Sequence, residues 1–204
     1  MRLIGMPDSP FVRRVAISMK VMDLPFKHEA VSVFRHYDTF AAINPVVKAP
    51  SLVLDDGTVL MDSTLILEYV ERLAPPERLF TPGNDRDYAR FQRIIGLALV
   101  AAEKTVHAHY EDAQRPADKK HRPWLDRIEN QLTTAYDLLE SEIDSTQEWV
   151  FGSRFSQADI TTAVAWRFTQ FVLKDFISAA DYPALAALSE RAEALPEFIS
   201  TPLD

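Results

Sequence analysis

Asp8-Ser9-Pro10-Phe11-Val12-Arg13-Arg14 follows directly on the apolar run Leu3-Ile4-Gly5-Met6, and the junction decides how the chain begins. A short buried strand ends there and a helix starts. Proline suits the first helical position, because its missing N–H has no intrahelical partner to lose. Ser9 is therefore the predicted N-cap, its hydroxyl set among unpaired backbone N–H groups at the positive end of the helix dipole. Such a place holds an anion. Plain capping explains the Ser-Pro pair equally well at this point. A hydrolase nucleophile is poorly supported, since the chain has no Gly-x-Ser-x-Gly elbow.

Working outward, Pro10 to Val21 reads as a helix with Phe11, Val15 and Met19 on one face. Phe26 to Val31 is a second strand after the break at Pro25. Ser51-Leu52-Val53-Leu54, Asp55-Asp56-Gly57-Thr58 and Val59-Leu60-Met61 form a β-hairpin around an Asp-Gly turn. Ser63 to Leu73 carries the apolar stripe Leu65, Ile66, Tyr69, Val70 and Leu73. The order is βαβ followed by ββα, a small mixed sheet covered by helices. Pro75-Pro76 and Thr81-Pro82-Gly83 then punctuate the chain. Beyond them the spacing predicts only helices: Tyr88 to Val106, Leu125 to Ile143, Ser156 to Leu173, and Ala184 to Ala194. The expected organisation is an α/β domain over 1–76, a linker over 77–85 and an all-α helical bundle over 86–204.

Composition narrows the chemistry. The chain has 204 residues, 47% of them hydrophobic, and a formal net charge of −8. An acidic chain repels phosphate, so no nucleic-acid partner is expected, and Lys119-Lys120-His121-Arg122 reads as a solvated loop. The absence of cysteine excludes disulfides, thiol nucleophiles and iron–sulfur ligation by this chain. Ile94 to Ala102, the longest strongly apolar stretch, falls far short of the ~20 residues that span a bilayer. No membrane association is expected. The N-terminus lacks a signal-peptide pattern, and the expected location is cytoplasmic.

Two further segments offer binding chemistry. Lys48-Ala49-Pro50 precedes a predicted strand; it is either an ordinary strand entrance or a turn presenting the backbone of Ala49 to a ligand, with Lys48 placed for a carboxylate. Asp62-Ser63 opens a helix; it is either a simple cap or a second anion site with Asp62 ready for an ammonium group. A ligand with an amino-acid head, a thiol and a distal carboxylate suits all three places. Ser156-Gln157-Ala158-Asp159 resembles a capping box and is read as structural. Glu103, His107 and Glu111 share a helical face, but the chain has no His-Glu-x-x-His pattern, and no metal is expected.

Taken together, Ser9-Pro10-Phe11 with Arg13-Arg14-Val15, Asn44-Pro45 with Lys48-Ala49-Pro50, and Asp62-Ser63 before Ile66-Leu67-Glu68-Tyr69 make the chain resemble the cytosolic glutathione transferase superfamily along its whole length. The Ser-Pro-Phe form is similar to the tau class and to serine-type bacterial members. The resemblance implies a thioredoxin-like first domain and an all-helical second one. It implies glutathione as co-substrate, with Ser9 hydrogen-bonded to the sulfur as the catalytic group. Ala49, beside a cis-Pro50, would pair with the cysteinyl backbone. Lys48, with His36 or Arg35, would meet the glycine carboxylate, and Asp62 and Ser63 would hold the γ-glutamyl end. Phe11, His107, Tyr110 and Trp166 are candidates to line a pocket for a small hydrophobic electrophile, with ordinary packing as the alternative. A homodimer is implied as well. The activity implied is conjugation of glutathione to that electrophile; a glutathione-dependent isomerase or dehalogenase, or a non-catalytic binding protein, would keep the same fold.

Overall fold

A computed structural model describes every residue except Pro76 and Asp204. Pro76, one of the prolines of the predicted break, thus lies outside the described residues. The chain divides into two compact units, Met1–Phe80 with Ala194–Asp204, and Thr81–Glu193.

The first unit runs β1 (Arg2–Ile4), α1 (Pro10–Val21), β2 (Lys27–Glu29), α2 (Tyr37–Ile43), β3 (Ser51–Val53), β4 (Val59–Met61) and α3 (Ser63–Glu71). Its strands lie in the order β2-β1-β3-β4. β1 is parallel to β2 and antiparallel to β3, and β3 is antiparallel to β4. This is the mixed sheet that the element order predicted, in the thioredoxin-like form that the resemblance implied. Side chains alternate across the strands. Leu3 and Leu52 face Val12, Val15 and Met19 of α1 and Ile66 and Val70 of α3. Ile4 and Val53 face the other way, onto Phe40 of α2. Helix α2 has no counterpart in the sequence reading. Seven residues do not hold a helix in water unaided, and its apolar signal is concentrated in one fully buried side chain, Phe40. Burying that ring contributes roughly 2–3 kcal/mol, enough to fix a short helix on a sheet.

Helix α1 carries two arginines that are almost completely buried, Arg13 and Arg14. Arg13 Nε donates to the Thr201 carbonyl at 2.8 Å, and its guanidinium lies 5.6 Å from the Phe198 ring. Lys20 Nζ donates to the Ser200 carbonyl at 2.6 Å and to Thr201 Oγ1 at 2.7 Å. These acceptors follow the short helix α8 (Pro196–Ile199), whose Phe198 is fully buried. Cations at the carbonyl end of a helix satisfy acceptors that the helix itself leaves open. The C-terminal stretch groups with the first unit for this reason, whereas the linear reading runs one helical domain from 86 to 204.

The second unit contains α4 (Asp85–Ala113), α5 (Arg122–Glu142), α6 (Gln157–Val172) and α7 (Pro183–Glu193). Its core includes Phe91, Ile94, Ala98, Leu132, Leu139, Ala163 and Leu188. Tyr136 is fully buried; its hydroxyl donates to the Ala165 carbonyl at 3.0 Å and lies 2.6 Å from Thr169 Oγ1. Ahead of α6, Asp159 is completely buried yet satisfied. It accepts from the Val150 and Ser156 N–H groups at 2.8 and 2.9 Å, and from Ser156 Oγ at 2.6 Å. Burial pushes its carboxyl pKa up, while those bonds pull it back.

Candidate functional site

The sheet register brings the three predicted segments to one end of the first unit. Ile4 pairs with Ser51, and Ser51 pairs with Met61. Ile4 ends β1, Ser51 begins β3 and Met61 ends β4. The chain therefore leaves the same sheet edge toward Ser9, arrives there from Lys48-Ala49-Pro50, and leaves it again toward Asp62-Ser63. Glu29, paired with Ile4, ends β2 at this edge too, so the 30–36 loop carrying Arg35 and His36 starts here. In open α/β sheets such strand ends are where ligands gather.

Gly5 shows how tightly these loops meet. Its φ is +143°, and a Cβ built on it would stand 2.5 Å from Val12 Cγ2 and 3.2 Å from Ala49 Cβ. Only glycine lets the end of β1 pass between the start of α1 and the Ala49 loop. That loop is held from beneath. Asn44 Nδ2 donates to Ser51 Oγ at 2.8 Å, and Ser51 Oγ donates to the Lys48 carbonyl at 2.8 Å. The Ala49–Pro50 peptide bond is cis, as the resemblance implied.

Ser9 is half-buried and caps α1, its Oγ accepting from the Val12 N–H at a long 3.4 Å. Acceptance by the oxygen leaves the hydroxyl proton free to donate. Pro10 takes the first helical position and Phe11, half-buried, the next. At the third segment, Asp62 caps α3 through Oδ1, which accepts from the Thr64 N–H at 2.9 Å. Asp62 has φ +73° and ψ 123°, a conformation that a non-glycine residue rarely adopts. Strain of this kind costs about 1–3 kcal/mol and gathers at functional positions. Ser63 is buried, and Arg14 Nη1 donates to its Oγ at 3.1 Å. Lys48, Arg35 and His36 are exposed at the rim. His36 Nδ1 accepts from the Ser32 N–H at 3.2 Å.

The charges at this edge are arranged for a zwitterion with an extra carboxylate. Helix N-termini at Ser9 and Ser63 favour negative groups, Lys48 adds a cation, and the Asp62 carboxylate suits an ammonium group. Burial lowers the Arg14 pKa to about 10, with Asp62 and then Glu71 opposing the shift. Arg14 is therefore still a cation at neutral pH.

The family models described as "Glutathione S-transferase, N-terminal domain" and "Glutathione S-transferase, C-terminal domain" match residues 3–78 and 122–191. The chain belongs to the glutathione S-transferase family. The Escherichia coli O157:H7 protein "Glutathione S-transferase GstA" is 29% identical over 135 residues, 64% of this chain and 63% of its own, so the chain spans a little under two thirds of that relative. The Drosophila melanogaster protein "Probable maleylacetoacetate isomerase 1" is 26% identical over 197 residues, 92% of this chain and 74% of its own. A glutathione S-transferase from Methylobacterium radiotolerans, solved in complex with glutathione sulfonate, superposes with a TM-score of 0.90 at 26% identity, covering 98% of this chain and 93% of that one.

The transferase fold thus gathers Ser9, Ala49, Pro50, Asp62 and Ser63 along one sheet edge, with Lys48, Arg35 and His36 in the loops beside them. In the second unit, His107 and Tyr110 lie partly exposed on α4, with His107 Nδ1 3.9 Å from Glu103 Oε1. Trp166 is packed in the helical core, 5.1 Å edge-on to Tyr136 and 5.6 Å from Tyr182. In the sequence Arg14 stands out only as part of a motif, and Asn44 shows no role. One signal pointed to Arg14. Cations are disfavoured near a helix N-terminus, so paired arginines early in an apolar helix need buried partners.

Proposed function

We propose that the chain binds glutathione along this sheet edge, holds its sulfur as a thiolate beside Ser9, and transfers it to a small hydrophobic electrophile. The supporting observation is the Ile4–Ser51–Met61 row, from which the segments of Ser9, Ala49-Pro50 and Asp62-Ser63 leave or enter one end of the sheet. A relative of the same fold solved with a glutathione derivative supports the ligand class. In this reading the Ser9 hydroxyl donates to sulfur, and Ala49 pairs with the cysteinyl backbone beside Pro50. Lys48 meets the glycine carboxylate, helped by Arg35 or His36. Ser63 and Asp62 take the γ-glutamyl carboxylate and ammonium.

The energetics are adequate without a metal. A free thiol titrates near ~8.5, and lowering that by ~2 units needs about 2.7 kcal/mol of preferential stabilisation of the anion. One hydroxyl donating to a charged acceptor supplies roughly 1.5–3 kcal/mol, and a helix N-terminus about 0.3–1 kcal/mol. The sulfur lone pair then attacks the electrophilic carbon; a C–S bond forms, and the leaving group departs with its electron pair or the acceptor π-bond takes the charge. A homodimer in a cytoplasmic setting belongs to the same reading.

The test is the ultraviolet thiolate band of bound glutathione, titrated with pH in the wild type and in Ser9→Ala. A depressed thiol pKa in the wild type that returns toward the free value in the variant is expected. An unshifted pKa in the wild type refutes activation. A glutathione-dependent isomerase is the second reading, favoured by the isomerase-named relative that matches over most of the chain. It is distinguished by turnover of a cis-olefinic diketo acid without consumption of glutathione.

A further inference from the structure

We propose that Arg14 is a positioning residue whose buried guanidinium turns the Ser63 hydroxyl proton outward, toward a ligand carboxylate at the start of α3. The inference rests on the glutathione reading of this edge and deepens it. Arg14 is 2% exposed, so it does not itself reach a ligand. Its Nη1 donates to Ser63 Oγ at 3.1 Å and to Thr64 Oγ1 at 3.3 Å. A guanidinium has donors and no acceptor, so Ser63 Oγ can only accept from it. The serine proton must then point elsewhere. Inside a helix, a serine proton commonly returns to the carbonyl four residues earlier. Ser63 is the first residue of α3, and no such bond is formed among the described residues. What remains is the ligand side, where α3 also offers the Ser63 N–H, since Asp62 Oδ1 already takes those of Thr64 and Leu65.

Two further observations fit a site more than a simple staple. Arg14 Nε has no hydrogen-bond partner despite its burial. A residue kept only to join α1 to α3 would be better served by a full set of partners or by an apolar side chain. The neighbouring negative groups, Asp62 and Glu71, offset the buried cation without touching the Ser63 hydroxyl. A cation donating to a hydroxyl makes that hydroxyl a stronger donor in turn. Both bonds come from the one Nη1 nitrogen, whose two N–H groups lie in the guanidinium plane and so fix the direction from which Ser63 and Thr64 are approached.

The experiment compares calorimetric affinities for glutathione and for γ-aminobutyryl-cysteinyl-glycine, which lacks only the α-carboxylate. The wild type should prefer glutathione. Arg14→Gln should reduce that preference about tenfold while leaving affinity for the analogue unchanged, and in a Ser63→Ala background it should add nothing further. Equal weakening toward both ligands, or a full Arg14→Gln effect in the Ser63→Ala background, overturns the proposal and leaves Arg14 a structural residue. If Arg14→Gln does not fold, Arg14→Lys carries the test. Lysine keeps the charge but not the planar donor geometry of Nη1, so about a threefold loss of preference is expected, and an unchanged preference overturns the proposal. A wild type that binds glutathione no better than buffer would instead defeat the reading of the site.

Discussion

Helices α1 and α6 each have a serine at the N-cap, and they use it in opposite ways. Ser156, ahead of α6, is fully buried, and its N–H and hydroxyl both go to Asp159. Ser9, ahead of α1, is half-buried and has one long bond from the Val12 N–H. The first cap is closed: every polar group is consumed inside the protein, and its value lies in stability. The second is open: a donor and a helix N-terminus are left for something else. The same residue type at the same helical position becomes a fold element or a binding element according to whether a neighbour closes it.

Breaking the closed cap should give the largest effect. Asp159→Ala leaves the Val150 N–H and both Ser156 donors buried without their acceptor, and should lower unfolding free energy by on the order of 3–5 kcal/mol. Denaturant melts would show it, while the glutathione affinity of the folded fraction should stay near normal; a weakened affinity with an unchanged melt would reverse the assignment of this cap. Crowding the open end comes next. Gly5→Ala forces a Cβ against Val12 and Ala49 at a positive φ, and about 2–3 kcal/mol of stability should be lost together with glutathione affinity. Ser9→Ala sharpens the contrast. Stability should fall by no more than about 1 kcal/mol, but turnover at neutral pH should fall at least about tenfold as the bound thiol pKa rises. A large stability loss with normal turnover would make Ser9 another closed cap.

The smallest effect concerns pH and the second unit. Burial pulls the Glu142 pKa up, but bonds from Arg90 and Arg93 at 3.0 Å pull it further down, so the folded value lies below its ordinary 4.5. A depressed carboxylate stabilises the fold above its unfolded pKa and loses that contribution as pH falls through the folded one. Wild type should therefore lose more stability than Glu142→Gln as pH drops below 4.5 and through the depressed folded value. Parallel acid melts of the two proteins would show that this ion cluster adds nothing.

Much of the fold was legible because its signals are local. The Asp-Gly turn, the Pro10 start and the stripe on α3 each lie within a few residues, and α4 to α7 repeat their apolar positions over several turns. Helix α2 was not legible, because a single phenylalanine finds its meaning only against Ile4 and Val53. The return of Phe198 and Thr201 to α1 was not legible either, since those contacts join positions far apart in the chain. At the site, Ser9, Ala49 and Ser63 could be picked out by type and spacing. Arg14 could not be given a role, because its partner is a serine hydroxyl on another helix.

By itself, the sequence determined most of the helices and strands, α2 and α8 excepted, and which short segments carry groups fit for an anion and an amino-acid head. Those properties depend on neighbours along the chain. Tertiary structure alone decided that Ile4, Ser51 and Met61 fall in one row, that Ser9 stays open while Ser156 is sealed, and that Arg14 lies beneath Ser63. Register, burial and the direction of a hydroxyl proton are set by contacts between distant segments, and these exist only once the sheet has closed.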